Sequence, residues 1–421
     1  VTEGAAEPQD GNSGKHAAST ALALLSAPVR DMTSTMDAPA PQTDALAKAL
    51  GRAIARVRLL GRLTAGNAAS ERARLVAALE TGAPAMPEWT RIEHGQLPDG
   101  AAFAALAEAF GEEDALGSLY AERARELELE VALVVARGER RFAELALLRH
   151  PHRAELTDRA DAVARSWIDD TGPEDAGAED EAPGDLVISD DARDPRSLVS
   201  RLREEIARAR LPFRVSVSAD LAPLAATGEE VVHVSGGRRL TRADVERTVL
   251  HEIEGHARPR VLARRQTARI FALGSARGTD DQEGRALLLE ERHHHLTRAR
   301  RRGLARRHLA CIAMRAGADF VTVVRALTRD HGATAREAIV IGERVFRGSD
   351  GTFPGLGRER SYLECYLDAR DTFARDPELE AIVARGQLSF AAAAALRDQS
   401  EGMQAFSDPP SAPNGTTPRQ A

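Results

Sequence analysis

The sequence predicts a mainly α-helical protein with a small β element, an α+β chain. Long stretches rich in Ala, Leu, Glu and Arg repeat their apolar residues at helical spacing. Only two short runs, near 213–217 and 231–234, alternate apolar and polar side chains as strands do. The hydrophobic content of 43% is sufficient for a substantial core, and with aromatics at only 4% that core is expected to consist of Ala, Leu and Val.

Residues 1–41 read as a disordered tail. The apolar run Ala17 to Val29 has the look of a signal core, but Glu3, Glu7 and Asp10 precede it with Lys15 alone for basic charge. From residue 42, Ala45, Leu46, Leu50, Ile54, Val57 and Leu60 mark an amphipathic helix, and long helices continue to residue 168, broken near Gly111 and Gly138 and interrupted at Pro151. This segment, 42–168, is expected to form an N-terminal helical lobe. Residues 169–190, acidic at first and rich in Gly, Ala and Pro, read as a linker or long loop. A second unit is expected over 191–397, opening with a helix at about 195–209 and the two strands. Its next helix starts at Thr241, with Asp244 three residues on as a capping pair. Residues 398–421, with Pro409, Pro410, Pro413 and Pro418, read as a second disordered tail.

The most informative residues are His251-Glu252-Ile253-Glu254-Gly255-His256. Two imidazoles with an adjacent carboxylate are the chemistry of a zinc site that activates water, where the common motif spaces the His four residues apart. Five residues apart they diverge by about 140° on an ideal helix. A metal site here therefore requires a helix that is locally widened or broken. Gly255 is suited to such a distortion because it tolerates backbone angles that other residues avoid. A catalytic zinc takes three protein ligands. Downstream, Thr279 or Asp280 is a candidate N-cap, and Glu283 either completes a capping box for its own helix or faces the two His as the third ligand.

In order along the chain, the HEIEGH segment, the turn Gln282-Glu283-Gly284, then Arg344-Val345-Phe346-Arg347-Gly348 and Tyr362-Leu363 resemble a family of unusual metallopeptidases. Its bacterial members carry a "QEGLA" motif, and its animal members include tyrosine carboxypeptidases that act on the tubulin tail. The resemblance runs from about residue 45 to 395. It implies a zincin-like core, one zinc ion held by His251, His256 and Glu283, and Glu252 as the catalytic carboxylate. Arg285 stands where the motif has Leu, which implies a changed pocket wall beside an unchanged metal.

The expected function is then a zinc-dependent peptide hydrolase, a carboxypeptidase with Glu252 as general base acting on a peptide or protein C-terminus. Tyr362 and Arg347 are candidate donors to the oxyanion. Arg344, Arg347 and Arg358, around a Gly-rich loop from Gly348 to Gly357 suited to a lid, are candidates to hold the terminal carboxylate of a substrate. The alternative is a catalytically silent zinc-binding or regulatory protein that keeps the fold. The unligated Glu252 favours the enzyme, since a structural site closes with a fourth ligand, commonly Cys.

A net charge of −7 argues against a general nucleic-acid or membrane binder, and no apolar run approaches the roughly 20 residues a membrane span needs. The tract His293-His294-His295 adjoins Glu290 and Glu291 and lacks aromatic stacking partners, so it reads as a solvated helix face. Two cysteines, Cys311 and Cys365, without a secretory pattern predict a reducing, cytoplasmic setting.

Overall fold

Apolar residues at helical spacing put four helices into the N-terminal part: α1 (Pro41–Val57), α2 (Leu59–Leu63), α3 (Ala68–Glu80) and α4 (Gly100–Phe110). Three more follow, α5 (Ala115–Val135), α6 (Arg141–Arg149) and α7 (Ala154–Asp169). Asp99 and Asp114 cap α4 and α5 by accepting from the backbone of Ala101 and Gly117. The computed structural model describes residues 41–92, 95–170 and 186–399. The two expected tails fall almost wholly outside that range, as does most of the acidic linker. Its last residues, described from 186, are folded: strand β1 (Val187–Ile188) pairs antiparallel with β5 (Arg239–Leu240).

Helix α8 (Leu198–Arg208) leads into a three-stranded sheet of order β2-β4-β3, formed by β2 (Arg214–Ser218), β3 (Ala225–Thr227) and β4 (Val231–Ser235). Strand β2 runs parallel to β4, with Arg214 opposite Val231, whereas β3 is antiparallel to β4, with Ala226 opposite His233. Of these, β2 and β4 are legible as alternation, and β3 is too short for any pattern to register. The expected strand at 231–234 is central, so neither of its edges is free. The free edge beside the HEIEGH segment belongs to β3.

Thr241 and Asp244 form the expected reciprocal capping box at the start of α9 (Arg242–Leu250). This helix runs on without a break into a π-helical segment, His251–Ala257, and then α10 (Arg258–Ala263). Val232 and Val234 of the sheet, Leu198 and Leu202 of α8, and Ile253 and Ala257 of the π segment share one buried cluster. That cluster seats the motif on the sheet.

The rest is helical: α11 (Ile270–Leu273), α12 (Gly278–Arg292), α13 (Arg298–Arg315), α14 (Phe320–Arg329), α15 (Ala335–Val345), α16 (Glu359–Arg375), α17 (Pro377–Val383) and α18 (Phe390–Gln399). Helix α12 lies tightly against α16 at Gly284, where a Cβ would overlap the carbonyl of Cys365 and come within 2.8 Å of its Cβ. The largest buried cluster joins both parts of the chain, from Leu46, Phe103 and Leu127 to Leu287, Leu363 and Leu388. Ala and Leu dominate it as expected, whereas Val contributes only Val57, Val131 and Val383, fewer than the aromatic residues. The His293 tract is not on a helix face, because α12 ends at Arg292 and His294 takes φ 60° in the turn that follows. Among the described residues no helix is long and apolar enough to cross a membrane, and Cys311 and Cys365 are both buried free thiols.

Candidate metal centre

A π-helix closes its hydrogen bonds five residues apart, one more than an α-helix. Residues i and i+5 therefore lie one turn apart, and the spacing of His251 and His256 becomes the one that aligns them. Their Nε2 atoms stand 3.2 Å apart. The widening that the sequence requires is present; the reason expected for Gly255 is not. Gly255 is absent from the left-handed residues of the chain. What requires glycine is crowding: a Cβ there would sit 2.7 Å from the Cβ of Ala286 on α12. The missing side chain lets α12 approach the motif.

That approach delivers Glu283. Its Oε2 lies 3.3 Å from His251 Nε2 and 3.7 Å from His256 Nε2, so it is not spent on capping its own helix. His251, His256 and Glu283 each present one ligand atom within 4.8 Å of the others. A tetrahedral centre with bonds of about 2.0–2.1 Å has donor-to-donor edges of about 3.3–3.4 Å. The observed edges of 3.2, 3.3 and 3.7 Å match that geometry. Two imidazoles and one carboxylate are also the donor types such an ion prefers. The residues fit a zinc-sized cation.

Second contacts fix the orientation of this set. His251 Nδ1 faces Glu290 Oε1 at 2.7 Å, and Arg300 grips Glu290 through both oxygens at 2.8 and 2.9 Å. A proton on Nδ1 donated to Glu290 leaves the Nε2 lone pair turned toward the centre. Burial pushes the His251 pKa down, but hydrogen bonds donated to Glu283 and Glu290 outweigh it and raise the value to about 9, so a cation entering the triangle displaces the Nε2 proton before that lone pair is available. Burial likewise works to raise the Glu290 carboxyl, and Arg300 and His251 hold it below the usual carboxylate range. Glu290 lies seven residues after Glu283 on α12, two turns along one face. That seven-residue interval is a signal present in the sequence, whereas nothing local marks Arg300 as its partner.

Glu252 is buried and lies outside the donor triangle, with Oε2 accepting from Thr227 Oγ1 at 2.7 Å. Thr227 belongs to β3, the strand that no pattern announced. Tyr362 packs under the guanidinium groups of Arg307, Arg344 and Arg358, each 5.5 to 5.7 Å from the ring centre. Its hydroxyl accepts from Arg344 Nη2 at 3.3 Å and Arg358 Nη1 at 3.5 Å. Burial first, then the Glu283 charge, raise its pKa, so the phenol stays protonated.

The three candidate arginines differ in how they are engaged. Arg344 pairs with Glu359 at 2.9 Å. Arg358 bonds Asp280 at 3.0 Å and Glu283 Oε1 at 3.2 Å, and Arg149 meets the same Asp280 at 3.1 Å. Among the described residues Arg347 has neither a carboxylate nor a hydrogen-bond acceptor on its guanidinium. It lines a cavity of about 290 Å³ with Trp89, Arg137 and Glu343. Burial and the like charge of Arg344 lower its pKa. The loop from Gly348 to Gly357 is packed instead of lid-like: Phe353 and Leu356 are buried, and Leu356 and Gly357 donate to the backbone of Arg347 and Val345. Arg285 does not border the donor triangle either. Its side chain turns to a separate cavity, and its Nη1 donates to the carbonyl of Glu254 at 3.1 Å.

No curated protein matches the chain. A family model described as microtubule-associated tyrosine carboxypeptidase matches residues 86–401, about three quarters of the sequence. The matched span takes in the π segment, the Glu283 helix and the arginines around Tyr362. The fold is mainly helical with small sheets, and the chain belongs to the microtubule-associated tyrosine carboxypeptidase family.

Proposed function

We propose that the chain is a zinc-dependent carboxypeptidase with a zincin-like core, in which His251, His256 and Glu283 hold one zinc ion. The observation that carries the reading is the triangle of three convergent donors with edges of 3.2 to 3.7 Å, backed by Glu290. When bound, a zinc ion supplies Lewis-acid polarisation of the scissile carbonyl and of the attacking water.

The protein's own groups then divide the remaining work. Glu252 accepts the proton of the attacking water and returns it to the leaving amine. With Thr227 on Oε2, the proton resides on Oε1. Tyr362 accepts from Arg344 and Arg358, so its own O–H is available to the developing oxyanion. Arg347, the candidate arginine without an internal partner, holds the terminal carboxylate of the substrate. The edge of β3 positions the peptide. Leu224, Ala226 and Gly228 exchange bonds with β4, which leaves the backbone groups of Ala225 and Thr227 directed outward beside Glu252. The family's printed description makes a C-terminal tyrosine the first residue to try.

The test is zinc content per chain together with release of C-terminal residues from a peptide series, on the parent, Glu283→Ala, His256→Ala and Glu252→Gln. The reading expects about one zinc in the parent, as one catalytic site requires. It expects loss of metal and activity in the first two variants, and loss of activity with metal retained in the third. A parent that binds zinc and releases no terminal residue is the catalytically silent alternative. A parent that takes up no zinc overturns the reading.

A further inference from the structure

A second cavity, of about 580 Å³, lies between α8, α9, the π segment and α12. None of His251, His256, Glu283 or Arg347 lines it. Its apolar wall is Val249, Leu250, Ile253 and Leu289. The charged side chains around it are largely satisfied by one another: Arg208 pairs with Glu205 at 2.5 Å, Arg242 with Glu246 at 2.7 Å and Arg258 with Glu254 at 2.7 Å. Arg201 is paired with Glu204.

Arg285 is the exception. It is 9% exposed, and among the described residues its Nε is buried without a partner and its one hydrogen bond goes to the Glu254 carbonyl. Among the described residues no carboxylate forms an ion pair with it. A guanidinium does not deprotonate in a protein, and a buried charge without a counter-charge is strongly unfavourable. An anion entering the cavity relieves that penalty through charge-assisted, bidentate bonding.

We propose that this cavity is a binding site for a small monocarboxylate with an apolar body, its carboxylate on Arg285 and its body on Val249, Ile253 and Leu289. The ligand class follows from three facts. Arg285 has no ion-pair contact among the described residues, since the nearby Glu254 and Glu380 are in contact with Arg258 and Arg292, which leaves its guanidinium open to one negative charge. The adjoining wall is apolar. Arg201 and Arg208, the other arginines lining the cavity, are already paired with Glu204 and Glu205, so a second negative charge meets no unpaired arginine there. The volume lies within the range of about 300–1,000 Å³ usual for small-ligand sites. The inference does not depend on what the donor triangle holds.

The experiment is calorimetric titration of the full chain with 3-phenylpropionate, its amide and inorganic phosphate. It is run with a chelator present so that the donor triangle offers no cation. The same titrations are made on Arg285→Leu and Leu289→Trp. The expected result is binding of the acid, at least tenfold weaker binding of the amide and phosphate, and at least tenfold loss in Arg285→Leu. Leu289→Trp, which fills the cavity and keeps the arginine, is expected to abolish binding. Removing an uncompensated buried charge favours the fold, so Arg285→Leu is expected to stay folded by circular dichroism. Equal binding of acid and amide overturns the proposal. So does binding that survives Arg285→Leu or Leu289→Trp.

Discussion

Replacing Gly255 by alanine tests how the site is built. The new Cβ would lie 2.7 Å from Ala286 Cβ and 3.5 Å from Ala286 Cα. Carbon atoms settle at about 3.5–4.0 Å, so the pair is at least about 0.8 Å too close. Neither alanine has a rotamer to change. The relief must come from moving the π segment away from α12, and the two elements carry the imidazoles and Glu283 respectively. Opening the 3.7 Å edge between His256 and Glu283 by that amount takes it to about 4.5 Å, well beyond the roughly 3.4 Å that a tetrahedral centre spans. The expected outcome is zinc affinity lowered at least tenfold, with about 1–3 kcal/mol of stability lost to overpacking. Competition with a chromogenic chelator measures the first, and urea unfolding of the metal-free chain the second. The double variant Gly255→Ala with Ala286→Gly removes the collision and is expected to recover most of both losses. If Gly255→Ala binds zinc like the parent, or if the double variant stays as impaired as the single, the packing argument is wrong.

Three further outcomes follow from the same geometry. Glu290→Gln removes the carboxylate that orients His251 and is expected to weaken zinc binding about 10- to 100-fold; unchanged affinity would exclude that role. Thr227→Val removes the hydrogen bond to Glu252 and is expected to lower kcat at least about tenfold, from a charge-assisted bond of about 1.5–3 kcal/mol, with zinc content unchanged; a fall in metal content instead would place Thr227 in the wrong role. His308 is fully buried, and burial depresses its pKa from 6.5 to about 4. A depressed imidazole contributes stability above pH 6.5 that is lost as pH falls toward 4, since the unfolded chain takes up the proton first. Between pH 7.5 and 4.5 the loss is about 2–3 kcal/mol. Urea unfolding of His308→Leu is expected to show a correspondingly shallower acid decline, and an equal decline would refute the assignment.

The helices were legible because apolar periodicity is a local property, and Thr241 with Asp244 even fixed where the motif helix begins. The need for a widened turn between His251 and His256 was legible too, as simple angular arithmetic on their spacing. Tertiary contacts were not. Gly255 looks like a site of backbone distortion in sequence, yet it and Gly284 act as points of close contact, with Ala286 and Cys365. No local signal names those partners. Thr227 lies on a three-residue strand, and nothing nearby in sequence links it to Glu252, 25 positions on. Arg285 is expected in the pocket wall beside the metal, yet two residues on from Glu283 a helix turns the side chain about 200° away, and it lines a separate cavity.

The π segment also bears on how the motif tolerates changes in length. A π turn is what an α-helix becomes when it accommodates one additional residue locally and leaves the helix on either side in register. Deleting Glu254 would leave His-Glu-Ile-Gly-His, with the imidazoles four positions apart on an ordinary α-helix and still on one face. Helices α9 and α10 would keep their seats on the sheet. The five-residue and four-residue spacings are thus two solutions of one donor geometry, separated by a single codon.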